Sequence, residues 1–213
     1  ITEQYLSKYF EKKEYSIAVK HSKYKGHAKL LAEQSLQEKA TIIVACGGDG
    51  TINEVASCLV HTKVALGIIP IGSGNGLARN LNIPMNVEKA IDIIKKNKMV
   101  AIDVGKVNDD YFFSNMGLGF LAKTISKFEC LEKRRFTNYL KAILLSVPSY
   151  KSDSKYLVRC NGKEKLFRPF FILVSNTNEL GYNVSLTKNA LLNDGLFDIV
   201  IIDKLNPLKL IYF

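Results

Sequence analysis

Tryptophan is absent from the 213 residues, and methionine, histidine, cysteine and proline are scarce (3, 3, 4 and 5 residues). The cysteines Cys46, Cys58, Cys130 and Cys160 form no Cys-x-x-Cys pair. They read as small buried or neutral positions in a reducing compartment, not as a disulfide framework. His21, His27 and His61 are scattered and suggest no metal site. No apolar stretch approaches the ~20 residues needed to span a bilayer. Internal repeats and low-complexity segments are missing too. Acidic residues are outnumbered 20 to 30, giving a net charge of +10. Such an excess suits a solubilised surface, phosphorylated ligands, nucleic acid or an anionic membrane. The lack of an Arg-rich helix or an aromatic RNA-binding motif argues against nucleic acid. What remains is ordinary globular material, long enough for one large or two small domains.

What is present is glycine in two concentrated places. Gly47-Gly48-Asp49-Gly50-Thr51-Ile52-Asn53-Glu54 follows the apolar run Thr41–Cys46. Three glycines in four positions at a strand end let backbone approach a ligand unobstructed. Their successive N–H groups form an anion-binding nest. Asp49 among them would repel a phosphate unless a cation sat between, and Mg²⁺ is the ordinary cation for that task. The pattern therefore points to a nucleotide polyphosphate with magnesium. A second apolar run, Val64–Ile69, leads into Pro70-Ile71-Gly72-Ser73-Gly74-Asn75-Gly76-Leu77-Ala78-Arg79-Asn80. Two such turns after successive parallel strands would lie side by side at the carboxyl edge of the sheet, where open α/β sheets bind ligands.

Neither turn is a P-loop, because no Gly-Lys-Ser/Thr follows, and Leu77 breaks the dinucleotide fingerprint at 72–77. Protein-kinase signatures are also absent. The two glycine blocks resemble the diacylglycerol kinase catalytic family, which includes soluble bacterial lipid kinases, sphingosine kinases and ceramide kinases. Weaker matches are Gly26-His27-Ala28, Ile102-Asp103 and Asn193-Asp194-Gly195-Leu196-Phe197-Asp198. NAD kinases and phosphofructokinases share the Gly-Gly-Asp-Gly turn but not the Gly-Ser-Gly-Asn-Gly-Leu-Ala-Arg block. Many bacterial lipid kinases have Thr-x-Asn-Asp in the second turn. Here Ser73-Gly74-Asn75-Gly76 lacks the acid and is closer to the sphingosine kinase style. The family's opening strand, its Asn-Pro turn and its Asp-Gly-Glu turn, which carries the proposed general base, do not occur in these residues. The chain therefore reads as a piece lacking both ends, and the piece alone is expected to transfer little phosphate.

Coarse periodicity predicts a helix over 1–12, a strand over 15–20 and a loop over 22–26. Helices follow over 26–37, 51–59, 75–80 and 87–96, interleaved with the two strands already named. Beyond residue 98 the pattern changes to strands over 99–107, 111–116, 155–160, 165–175 and 197–202. Turns such as Asn108-Asp109-Asp110 and Asn161-Gly162 join them. The expected domains are 1–98, a nucleotide-binding α/β domain without its first strand, and 99–213, a lipid-substrate domain without its C-terminal part. The expected fold class is a Rossmann-like, NAD kinase/phosphofructokinase-like α/β domain plus a mainly antiparallel β domain. The latter carries a helical insertion over roughly 118–146. Within the insertion, Tyr139, Leu140, Ile143, Leu144 and Val147 form an apolar stripe beside Lys133-Arg134-Arg135. A core helix and a membrane-docking helix are both open readings of it.

The resemblance implies transfer of the ATP γ-phosphoryl group to a lipid hydroxyl such as that of diacylglycerol. A sphingoid base or ceramide, or an NAD kinase-like soluble substrate, is the alternative acceptor. A non-catalytic nucleotide-binding module is a third reading. The candidate nucleotide-binding set is Ser22, Gly47, Gly48, Asp49, Gly50, Thr51, Ile52, Asn53 and Ser73. Asp49 is the candidate catalytic Mg²⁺ carboxylate, and Asp103 is the best substitute base among these residues. Glu54 is expected to cap or brace the turn. The resemblance also implies a second, structural Mg²⁺ at Asp194 with the carbonyls of Leu191 and Leu196. The expected cofactors are ATP and Mg²⁺. The expected setting is cytoplasmic with peripheral contact to an anionic membrane, no nucleic-acid partner, and a homodimer left open.

Overall fold

The computed structural model describes residues 1–129, 154–179 and 185–203. The chain divides into two compact units, Ile1–Val100 and Ala101–Phe213. The apolar stripe over 139–147 and the basic cluster Lys133-Arg134-Arg135 lie outside the described residues.

The first unit opens with one helical turn, α1 (Glu3–Leu6), where the Thr2 hydroxyl accepts the Tyr5 N–H at 3.2 Å. The helix predicted over 1–12 is thus a single helical turn followed by hydrogen-bonded turns. Its apolar residues still pack: Tyr5, Leu6, Tyr9 and Phe10 cover Ile69, Ala90 and Ile91. The strand predicted over 15–20 does not form. A strand exists only through ladder bonds, and here the Val19 N–H goes to the Glu3 carboxylate at 3.3 Å instead.

Helix α2 (His27–Gln37) precedes β1 (Ile42–Gly47), α3 (Asp49–Leu59) and β2 (Ala65–Pro70). The two strands pair in parallel from Ile42↔Ala65 to Gly47↔Pro70. Parallel neighbours need a crossover, and α3 supplies it. Its buried residues are Ile52, Val55, Ala56 and Leu59, at the i, i+3, i+4, i+7 spacing of a core-facing stripe. Short α4 (Gly76–Asn80) and then α5 (Val87–Lys96) follow. In α5 local rules agree: the Asn86 side chain accepts the Lys89 N–H, Glu88 sits in the first turn, and Lys95 and Lys96 sit in the last.

The second unit is antiparallel throughout its described strands. β3 (Gly105–Val107) and β4 (Asp110–Phe112) form a hairpin. β5 (Asn115–Gly119), β8 (Phe171–Ser175) and β9 (Asp198–Ile202) form a three-stranded sheet with β8 central. Helix α6 (Phe120–Glu129) follows β5. Phe120, Phe171 and Leu173 make the core, covered by Leu121, Phe170, Leu186, Val200 and Ile202. Each such side chain contributes about 1.5–3 kcal/mol on burial. β6 (Tyr156–Cys160) and β7 (Lys163–Phe167) form a separate hairpin. Its Asn161 and Gly162 both take positive φ (50° and 73°), as a two-residue turn of the primed type requires.

Three predicted strands are shorter or split. The run 165–175 breaks at Arg168-Pro169, since proline brings no N–H to a ladder. The runs 99–107 and 111–116 are interrupted for a reason that lies elsewhere in the chain. Asn176 is fully buried, and its Nδ2 donates to the Asp103 and Phe113 carbonyls at 2.7 and 3.0 Å. Its backbone N–H donates to the Ser114 carbonyl at 2.7 Å. Backbone groups satisfied by a side chain leave the ladder at that point.

Candidate functional site

The end of β1 and the end of β2 carry the two glycine turns. The Gly47 carbonyl accepts the Ile71 N–H at 3.1 Å, which continues the pairing one step beyond Pro70. Gly48 is the N-cap of α3 in extended conformation. The first intrahelical bond runs from the Ile52 N–H to the Gly48 carbonyl at 3.0 Å. The N–H groups of Asp49, Gly50 and Thr51 are therefore the unbonded donors of the first turn, at the positive end of the helix dipole.

The turns touch. A Cβ placed on Gly72 would fall 2.4 Å from the Gly48 Cα, and one on Gly74 would fall 2.9 Å from Asp49 Oδ2. A Cβ on Gly76 would lie 3.9 Å from Asp49 Oδ1. So Asp49 sits beside the second turn, with its carboxylate against Gly74 and Gly76. The second turn is held by Asn75, which is buried in left-handed conformation. Its Oδ1 accepts the Gly72 N–H at 3.0 Å, and its Nδ2 donates to the Gly72 carbonyl at 2.7 Å. Arg79 Nε donates to the Gly74 carbonyl at 3.1 Å.

Of the remaining nucleotide candidates, Ser73 lies on the second turn between Gly72 and Gly74. Asn53 lies one helical turn beyond Asp49 on α3. The Thr51 side chain packs against Gly47, and Ile52 is 1% exposed, a core residue. Ser22 belongs to the loop before α2. Glu54 ties that loop's end to α3: its Oε1 accepts the Gly26 N–H at 2.8 Å and its Oε2 the Ala28 N–H at 3.1 Å. One carboxylate from α3 thus satisfies the open N-terminus of α2. His27 Nδ1 accepts the Lys23 N–H at 3.0 Å, and its ring stacks on Tyr24.

In the second unit the structure joins Asp103 to the segment that carries Asp194, about ninety residues further along the sequence. Asp103 Oδ2 accepts the Gly195 N–H at 2.7 Å, and the Asp103 N–H donates to the Leu192 carbonyl at 2.7 Å. Asp194 Oδ1 accepts the Leu196 N–H at 3.0 Å, closing a tight turn on itself. Leu191 and Leu196 are exposed on this segment. Among the described residues no group of three or more His, Cys, Asp or Glu side chains converges. A cation at Asp49 or Asp194 would draw its other ligands from carbonyl, phosphate or water oxygens. That composition suits magnesium, which is held by one or two carboxylates together with waters and substrate phosphates.

Sequence reasoning did not find the hub at Asn176, because its partners lie on two segments, at Asp103 and at Phe113-Ser114, more than sixty residues earlier in the chain. The link from Asp103 to Gly195 was equally hidden. Asn75, by contrast, had a visible signal: an asparagine flanked by glycines is suited to a left-handed turn position.

A parallel α/β unit with paired glycine turns at its strand ends, followed by an antiparallel β unit, defines a class: the NAD kinase/phosphofructokinase-like two-part fold. Within that class, residues 2–107 match the diacylglycerol kinase catalytic domain model, and residues 119–213 match the YegS C-terminal NAD kinase β-sandwich-like domain model. The chain belongs to the diacylglycerol kinase catalytic family. It is 31% identical over 196 residues to a Pectobacterium atrosepticum protein named "Probable lipid kinase YegS-like", covering 88% of this chain and 65% of the relative. It is 33% identical over 204 residues to a Bacillus subtilis protein named "Diacylglycerol kinase", covering 92% and 66%. A crystal structure of a diacylglycerol kinase from Bacillus anthracis superposes with a TM-score of 0.66 at 26% identity, covering 86% of this chain and 61% of that one. The chain thus spans less than two thirds of each of these relatives.

Proposed function

We propose that this chain forms part of a lipid kinase that transfers the γ-phosphoryl group of ATP to the hydroxyl of a membrane lipid such as diacylglycerol. The observation that carries this reading is the contact of the two glycine turns, with the α3 N–H groups and the Asp49 carboxylate at one strand-end site. Phosphoryl transfer asks a protein mainly for positioning and charge stabilisation, and the site has the parts for both. The N–H groups of Gly48, Asp49, Gly50 and Thr51 cradle phosphate oxygens at the helix N-terminus. Ser22, Asn53 and Ser73 offer side-chain contacts to the nucleotide, while Gly47 and Ile52 support the turn from below. Bound Mg²⁺, held by Asp49, would neutralise the phosphate charge. Asp103 holds the turn at Gly195, and that turn carries the proposed second cation site at Asp194 and the carbonyls of Leu191 and Leu196.

The family resemblance and the relatives named as lipid kinases support a lipid acceptor. No helix among the described residues is long and apolar enough to cross a membrane. The enzyme meets its substrate by peripheral contact with an anionic membrane surface on the cytoplasmic side, a reading supported by the excess of basic over acidic residues, 30 to 20. Labelled ATP supplied to the complete enzyme with diacylglycerol, sphingosine, ceramide and NAD in separate reactions tests the reading. Label is expected in a lipid product. Incorporation into NAD alone, or into none of the four, would overturn it.

A further inference from the structure

The β6–β7 hairpin carries a surface that the nucleotide site does not use. Among the described residues neither strand pairs with any strand but the other. An isolated two-stranded hairpin is marginal in water, and exposed hairpins are ordinarily blunted with polar side chains. Here Leu157 and Leu166 are register partners and so point to the same face. They are 53% and 57% exposed. The next pair on that face is Arg159 and Glu164, which form an ion pair. That pair engages the hairpin's lone carboxylate. Lys155 immediately precedes β6 and Arg168 immediately follows β7, at the other end of the leucine pair. Lys163 and Lys165 rise from the opposite face, the latter with Nζ 5.0 Å over the Phe167 ring. All five cations are exposed.

We propose that this hairpin is a membrane-docking element. The Leu157–Leu166 pair enters the acyl boundary of an anionic leaflet, while Lys155, Arg159, Lys163, Lys165 and Arg168 stay at headgroup level. Long cationic side chains reach the interface from either face of a thin hairpin. The inference rests on the lipid-kinase reading for the reason a membrane is met, and it names where. Charge decides between occupants. With Glu164 offsetting Arg159, a second copy would still set the four cations Lys155, Lys163, Lys165 and Arg168 against their own copies, whereas an anionic leaflet attracts them. A nucleic-acid backbone would match the charge but leave the leucine pair without a partner.

The absence of tryptophan from these residues makes the test direct, since Leu157→Trp introduces a single indole, which can be excited apart from the ten tyrosines. Leu166→Trp serves as a second reporter should the first variant not fold by circular dichroism. Vesicles of equimolar phosphatidylcholine and phosphatidylglycerol are expected to shift the emission to the blue, and brominated acyl chains to quench it. Phosphatidylcholine alone should do neither. Lys163→Gln with Lys165→Gln should weaken vesicle binding about fivefold per charge. Three results would each overturn the proposal: unchanged emission while the chain still co-sediments with vesicles, no co-sedimentation at all, or a blue shift that needs only higher protein concentration. Phosphorylation of a water-soluble short-chain diacylglycerol by the complete enzyme, measured in parallel, separates the two readings. Turnover without a vesicle response removes the hairpin's role only. A vesicle response without turnover on any lipid removes the kinase reading only.

Discussion

Gly48 and Gly72 meet backbone to backbone across the ends of two parallel strands, with room for no side chain between them: a Cβ on Gly72 would fall 2.4 Å from the Gly48 Cα. This contact turns two separate glycine turns into one surface. Gly72→Ala must push backbone against backbone, so it is expected to cost about 1–3 kcal/mol of stability and to weaken Mg·ATP binding. Gly50→Ala is the informative contrast. A Cβ there meets nothing within 4 Å, and the residue lies inside α3. It should stabilise the fold by up to about 1 kcal/mol while weakening nucleotide binding if phosphate packs against this turn. Calorimetric titration beside thermal melts reads both quantities. Unchanged affinity in Gly50→Ala would argue that nothing docks there.

Asp49→Asn tests the carboxylate by itself. The substitution keeps the shape and removes the charge beside Gly74 and Gly76. Phosphoryl transfer is expected to fall at least about a hundredfold. Stability should change by less than about 1 kcal/mol, the worth of one acid in a helix first turn. Near-normal kcat in the complete enzyme would remove Asp49 from the proposed chemistry.

Glu54 ties α2 to α3 through two N–H groups. Charge-assisted bonds of this kind contribute about 1.5–3 kcal/mol each, and the pair's only partial burial lowers that figure. Glu54→Ala is expected to cost about 2 kcal/mol in urea denaturation. Glu54→Gln should recover part of it, because the carboxamide retains one acceptor oxygen. Equal stability of Glu54→Ala and the parent chain would show that the two caps carry no net energy.

Burial pushes the Cys46 and Cys58 thiols above their ordinary range. The folded state therefore holds these protons longer than the unfolded state. Their contribution to stability is fully present below the ordinary thiol value, about 8.5. It is lost as pH rises through the folded values, because the unfolded chain then binds fewer protons. Urea midpoints measured upward from about pH 8 should fall. The decline should be shallower in Cys46→Ala with Cys58→Ala. An identical slope would mean that other groups control the alkaline limb.

Helices with consistent local signals were legible. In α5 the Asn86 cap, the apolar spacing and the terminal lysines all specify the same span, and the fold agrees residue for residue. The Asn161-Gly162 hairpin was legible for the same reason, since its turn requires two residues that tolerate positive φ. The strand over 15–20 was not. Its apolar alternation specifies a face but not a ladder partner, and its Val19 N–H found a glutamate. Likewise the continuous runs across Ser114 and Pro169 concealed breaks, one set by a buried asparagine and one by a missing N–H.

Composition and order along the chain were enough to establish the two glycine turns, their place after parallel strands, the change to antiparallel pairing beyond the first unit, and the family. These depend on backbone freedom and short-range periodicity, which a linear string records directly. Only the tertiary structure decided that Gly48 touches Gly72, that Glu54 caps a helix it does not belong to, that Asp103 grips Gly195, and that two leucines share an exposed face. Each of those joins residues distant in sequence, and the free energy that joins them comes from packing the whole chain.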